Sequence, residues 1–296
     1  MYYRKTMIEE AGLDDPRELF EQGKWDWNTF LDMARKWQQS GENRYVIDGF
    51  NPENDFVLST GVPMIGNDGT KIINNLKNPD VERVMTDLIG VLQSENLRYP
   101  RHELNGWSTN PKAWASGEIL FFGNGGDWVW RDQLLKYAKK DGWAEDEVRI
   151  VPFPKDPQAD KHYVFLKQDA YMWIKGSDYA DGVAAWYDCL ITTSGSPEVR
   201  EAGIKQNMEN YNWSRENLEF MYDMTTLDGS SPLTWVVDFK SGLGKVSDGS
   251  ACENPIQSLT NLPYLTGDSY IQKREEHNPA IQAAIDEINS YMEKAS

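Results

Sequence analysis

Apolar residues recur at intervals of three and four along several stretches of the chain. After Asp26, residues Trp27, Phe30, Leu31, Ala34 and Trp37 share one helical face, and Asp26 is placed to cap the first turn. Asn78-Pro79 opens a second such pattern through Val81, Val84, Met85, Leu88, Ile89 and Leu92, with proline where a first turn tolerates it. Asn110-Pro111 starts a short helix that turns Trp114 inward and stops at Gly117. Further helices are expected over Leu134, Leu135 and Ala138, over Val183 to Leu190, near 197–209 and 213–227, and from Pro279 through Met292. Strand character marks Ile119 to Phe122, Val148 to Phe153, and a long stretch from Tyr163 to Ile174. The span from Gly229 to Thr260 reads as irregular. Strands alternating with helices predict an α/β fold in two lobes.

The most informative local pattern is Gly123-Asn124-Gly125-Gly126-Asp127-Trp128-Val129-Trp130, which follows an apolar strand and opens a helix. Glycine lets the backbone turn tightly and approach a ligand, and an indole at such a mouth offers a flat apolar face. Asp127 caps the helix on this reading and disfavours an anion there. Two roles stand for Trp128, ligand floor or helix anchor, and Asp127 could instead accept hydrogen bonds from ligand hydroxyls. Trp130 reads as an anchor.

Composition narrows the ligand class. A formal charge of -17 argues against nucleic acid and anionic membrane surfaces, and favours a neutral or cationic ligand. With 12 Trp and 14 Tyr the chain is rich in rings suited to a packed core or to stacking against sugars. Cys189 and Cys252 are too few for a disulfide framework, and His102, His162 and His277 form no metal or triad pattern. No apolar run reaches membrane-spanning length, and the first residues lack a secretory core, so no export signal or direct membrane insertion is expected within this chain.

Taken in order, several segments resemble the sugar-binding, maltose-binding-protein-like group of extracellular solute-binding proteins from ABC importers. Met1-Tyr2-Tyr3-Arg4-Lys5 with Glu10-Ala11-Gly12-Leu13 resembles the group's Tyr-Asn-Lys strand and its continuation, Arg4 standing where Asn is usual. Trp25 to Phe30, Ala115 to Glu118, Gly126-Asp127-Trp128, Pro152 to Lys155 and Ala170 to Ser177 resemble further elements of the pattern. The resemblance implies a type II periplasmic-binding-protein-like fold that starts inside the family pattern, hence N-terminally truncated. It further implies that residues 1–160 form the second lobe, 161–228 a remnant of the first, and 229–296 a return to the second.

The same resemblance implies a non-catalytic receptor for an oligosaccharide, with no cofactor or metal, partnered by ABC permease subunits outside the cell or in the periplasm, membrane-anchored when full length. Trp128, Asp127, Tyr3, Trp107, Gln168 and Asp169 are the expected ligand-binding residues. Tyr3 would aim its ring into the cleft, Trp107 would be a loop platform or a plug over the core, and Gln168 and Asp169 would face the cleft from the crossing strand. Two alternatives remain at this level. A glycoside hydrolase would need two carboxylates flanking the scissile bond, with Asp127 and Asp169 as nominees, and a fold remnant would bind nothing.

Overall fold

The computed structural model describes residues 1–50, 52–100, 109–123, 127–166, 176, 178–226, 229–239, 243, 259–260 and 268–295. The chain opens with β1 (Tyr2–Arg4), α1 (Lys5–Glu10), α2 (Pro16–Glu21) and α3 (Trp27–Gln39). Asp26 caps α3 by accepting from the Thr29 N–H, and all five apolar residues of its stripe are buried. Then come β2 (Tyr45–Gly49), α4 (Pro52–Leu58) and the hairpin β3 (Ile65–Asn67) and β4 (Ile72–Asn74). Asn78 caps α5 (Pro79–Val84), which passes through a π-helical turn, Met85–Ile89, into α6 (Gly90–Ser94). Asn110 caps α7 (Pro111–Ala115), which leads directly into β5 (Ile119–Gly123).

Beyond β5 lie α8 (Asp127–Val129), a second π-helical turn at Trp130–Leu134, α9 (Leu135–Asp141) and β6 (Val148–Ile150). β7 (His162–Phe165), α10 (Ala180–Ser194), α11 (Pro197–Tyr211), α12 (Arg215–Thr225), β8 (Leu233–Val236) and α13 (Tyr270–Ala295) complete the order. β8 lies inside the span expected to be irregular. It is a four-residue strand whose pairing partner, β7, is some seventy residues away, so no local alternation marks it. The last helix begins at Tyr270, not at Pro279, and carries that proline in its interior. Its early residues reach back to the body, Tyr270 donating to the Leu76 carbonyl at 2.9 Å.

The main sheet has the order β2-β5-β1-β6, and β7 and β8 form a separate parallel pair. Two apolar clusters flank the sheet. One joins α3, α4, α5 and α6 to Tyr3, Phe121 and Val151, and takes in Ile281 and Ile285 of α13. The other gathers Tyr2, Phe50, Trp114, Phe122 and Trp130 with Ile204, Trp213 and Leu218. Residues 161–228 therefore divide: α11 and α12 share a core with residues 2–148, whereas α10 exposes Val183, Trp186, Leu190 and Ile191.

Candidate functional site

The sheet directions define one edge. β2 and β5 run parallel, and both end there, at Gly49 and Gly123. β1 is antiparallel to β5, which sets Tyr2 opposite Phe122, and β6 is antiparallel to β1, which sets Ile150 opposite Tyr2. The ends of β2, β5 and β6 and the start of β1 thus lie in a row. In open α/β sheets the carboxyl ends of parallel strands are where ligands bind.

Gly49 and Gly123 make this edge possible. Gly49 has φ +134°, and a Cβ added to it would lie 1.9 Å from the Gly123 carbonyl oxygen. The two strand ends pack backbone against backbone, and only glycine fits at Gly49. Immediately beyond them stand Phe50 and Trp128, with ring centroids 5.1 Å apart and planes inclined at 45°. Phe50 is buried, but Trp128 keeps 40% of its surface exposed. An aromatic floor open on one side is the arrangement to be expected for stacking against a flat, weakly polar ligand face.

Trp130 lies on the opposite side of the same helical segment. Residues two apart on a helix diverge by roughly 200°, so one indole faces outward and the other inward. Trp130 is fully buried, packs 4.7 Å from Trp213, and donates its Nε1–H to the Tyr211 carbonyl at 2.7 Å. It is an anchor.

A buried ionic hub supports the edge from below. Arg98 donates through Nη1 to Asp48 Oδ1 at 2.7 Å and through Nε to Glu53 Oε1 at 2.8 Å, and each of the three side chains is 1% exposed. Asp48 Oδ2 also accepts the Asn110 N–H at 2.6 Å. Burial alone would lower the guanidinium pKa, but Glu53 and Asp48 reverse this and leave it raised, so Arg98 is cationic at every relevant pH. Arg98 thereby ties the end of β2 to the start of α4, and Asp48 extends the link to the cap of α7.

Tyr3 does not face this edge. Its side chain is fully buried in the first cluster, and its hydroxyl donates to Asp15 Oδ1 at 2.6 Å. Burial, with the Asp15 carboxylate beside it, raises the phenol pKa and keeps the ring neutral. The expected cleft role is corrected by strand parity: successive side chains alternate between faces, and it is Tyr2 that enters the second cluster. Tyr2 packs 6.1 Å from Trp213 and borders a cavity of about 420 Å³ at the β1 and β6 end of the edge. Sequence reasoning misses Phe50, Tyr2 and Trp213; a phenylalanine just beyond a strand-ending glycine is the one signal that could find any of them.

Of the other expected ligand residues, Asp127 is the first residue of α8, and its side chain lies outside the described residues. Trp107, Gln168 and Asp169 also lie outside them. Among the described residues no group of histidine, cysteine or acidic side chains could hold a metal, and no helix is long and apolar enough to cross a membrane.

The profile of the family described as bacterial extracellular solute-binding protein matches residues 1–197. The chain belongs to this family, and its α/β architecture is that of the type II periplasmic binding proteins. Among solved structures it is similar to the sugar-binding protein MalE from Xanthomonas citri, at 14% identity and a TM-score of 0.58, covering 99% of this chain and 68% of that one. An ABC substrate-binding protein from Listeria monocytogenes in complex with cycloalternan aligns at 15% identity and a TM-score of 0.54, covering 98% and 68%. UgpB from Mycobacterium tuberculosis, in complex with glycerophosphocholine, aligns at 14% identity and a TM-score of 0.58, covering 97% and 67%. Comparison with curated proteins gives no match.

Proposed function

We propose that this chain is the carbohydrate-recognising part of an ABC importer's solute receptor, acting outside the cytoplasmic membrane, anchored to it in the full-length protein, and delivering an oligosaccharide to permease subunits. The observation that carries this reading is the half-open Trp128 indole, backed by Phe50, at the carboxyl ends of two parallel strands. Pyranose rings have an apolar C–H face that an indole covers and a rim of hydroxyls for polar partners. Asp127, Trp107, Gln168 and Asp169 are the nominees for that rim and for a second platform. The receptor makes and breaks no bonds, in keeping with a solute-binding family. The formal charge of -17 further favours an uncharged saccharide over an anionic solute.

Residues 161–228 are proposed as a remnant of the first lobe, 1–160 and 229–296 being the second; the exposed apolar residues of α10 support this, whereas α11 and α12 share a core with residues 2–148.

The test is titration calorimetry of the chain against an oligosaccharide panel, with Trp128→Ala alongside. Truncating an aromatic hot spot costs ~2 kcal/mol or more, about a thirtyfold loss of affinity. Because Trp128 is 40% exposed, the melting temperature of the variant should stay near that of the parent. Unaltered binding per folded molecule would remove Trp128 from the site.

A further inference from the structure

The cavity beside Tyr2 differs in chemistry from the Trp128 floor. Its volume is about 420 Å³, and its wall includes Tyr2, Phe153, Trp213, Met221, Met224 and Trp235. Among the described residues that line it, Asp55 is the only charged side chain, and no amide side chain is present. A pyranose set against this wall would find few side-chain partners for its hydroxyls, Asp55 and Thr225 among them, and would bury little of the ring's polar rim favourably. An apolar group meets no such penalty. A dry apolar cavity of roughly 150 Å³ already takes up benzene, so this one has room for a larger hydrocarbon. The methionines add walls that adjust to the shape of an aliphatic or aromatic guest.

Position connects the two chemistries. Tyr2 stands opposite Phe122, next to the strand end from which the Trp128 segment departs. Tyr2 and Phe50 belong to one apolar cluster, and α4, which follows Phe50, contributes Asp55 to the cavity wall. The cavity therefore continues the sheet edge on which the sugar is proposed to rest.

We propose that this cavity is an aglycone pocket, and that the receptor takes glycosides whose sugar stacks on Trp128 while an attached alkyl or aryl group fills the space beside Tyr2. The inference rests on the carbohydrate reading above, extending it from a plain saccharide to a sugar joined to a hydrocarbon.

The test compares methyl and n-hexyl β-glycosides of glucose, galactose and N-acetylglucosamine by calorimetry on the full chain, with n-hexanol as the unlinked probe. Five added methylenes entering the cavity should tighten binding at least about tenfold. Val164→Phe and Met224→Trp, two separate fillings of the cavity, should erase the hexyl advantage and leave the methyl glycosides unaffected, with melting curves confirming that each variant is folded. Equal affinity for methyl and hexyl partners overturns the pocket and leaves the sugar reading intact. Binding of n-hexanol and hexyl glycosides with equal strength, sensitive to the fillings, while every methyl glycoside fails, overturns the sugar reading and leaves a hydrocarbon site. No binding by any of the three probe types overturns both.

Discussion

Replacing Arg98 with methionine keeps the length and much of the volume of the side chain but removes the charge that Asp48 and Glu53 share. Both carboxylates are 1% exposed, so neither can turn to water without opening the structure. Removing one partner of a buried ion pair typically costs ~3–5 kcal/mol. For a chain of this size, at ~2–3 °C per kcal/mol, the melting temperature should fall by about 10 °C. Arg98→Lys should recover only part of this, because a single ammonium cannot serve Asp48 and Glu53 from two separate nitrogens as Nη1 and Nε do. The decisive variant is Asp48→Leu, Glu53→Met and Arg98→Met together, which removes all three charges, puts no buried amide in their place and nearly preserves volume. Replacing a buried ionic triad by well-packed hydrophobic side chains of similar volume is often neutral or stabilising. Moreover, Arg98 Nη2 already lacks a hydrogen-bond partner, so the native network is imperfect. The triple variant should unfold within ~2 kcal/mol of the parent by urea denaturation. An Arg98→Met variant within ~1 kcal/mol of the parent would refute the argument that the guanidinium neutralises two trapped carboxylates.

His162 sets a pH dependence. Its Nε2–H donates to the Phe153 carbonyl at 2.6 Å, and burial lowers its pKa below the ordinary 6.5. The folded ring therefore holds fewer protons than the unfolded one in mild acid. Its contribution is fully present above the unfolded pKa and is lost as pH falls from there toward the folded pKa. Stability measured by urea midpoint from about pH 7 to about pH 5 should decline less steeply in His162→Gln; parallel slopes would show that another group is responsible. Gly49→Ala should destabilise the chain by at least ~2 kcal/mol, since it combines a forbidden φ with a Cβ set against the Gly123 carbonyl. A melting temperature within experimental error of the parent would show that β2 can shift to make room.

Helices that combine an apolar stripe with a cap are legible in the sequence itself. Asp26, Asn78 and Asn110 each accept the backbone bond their position implies. The helix that Asn78 caps needs no tertiary knowledge, whereas α13 does: a proline at a first turn and one inside a helix look alike locally, and the residues before Pro279 are held by distant partners, Tyr270 by Leu76, Arg274 by Glu82 and Asn278 by Asn74. Trp128 stands out in the sequence as a candidate for the outward ring because a glycine-rich run precedes it. The facing of Tyr3 is not legible in the same way, since a period of two gives alternation without saying which face is which. The hub is hidden for another reason. Asp48, Glu53 and Arg98 look like ordinary surface charges, and nothing in a one-dimensional pattern brings positions fifty residues apart into one buried contact.

The contact between Gly49 and Gly123 separates what can vary from what cannot. With no side chain at either strand terminus the two backbones close on each other, so both bare positions must persist, and so must Phe50 and Glu53, which the core and the Arg98 pair hold just beyond Gly49. A laboratory library aimed at new selectivity should therefore hold both glycines, Phe50 and Glu53 constant and diversify the half-open position of Trp128 instead.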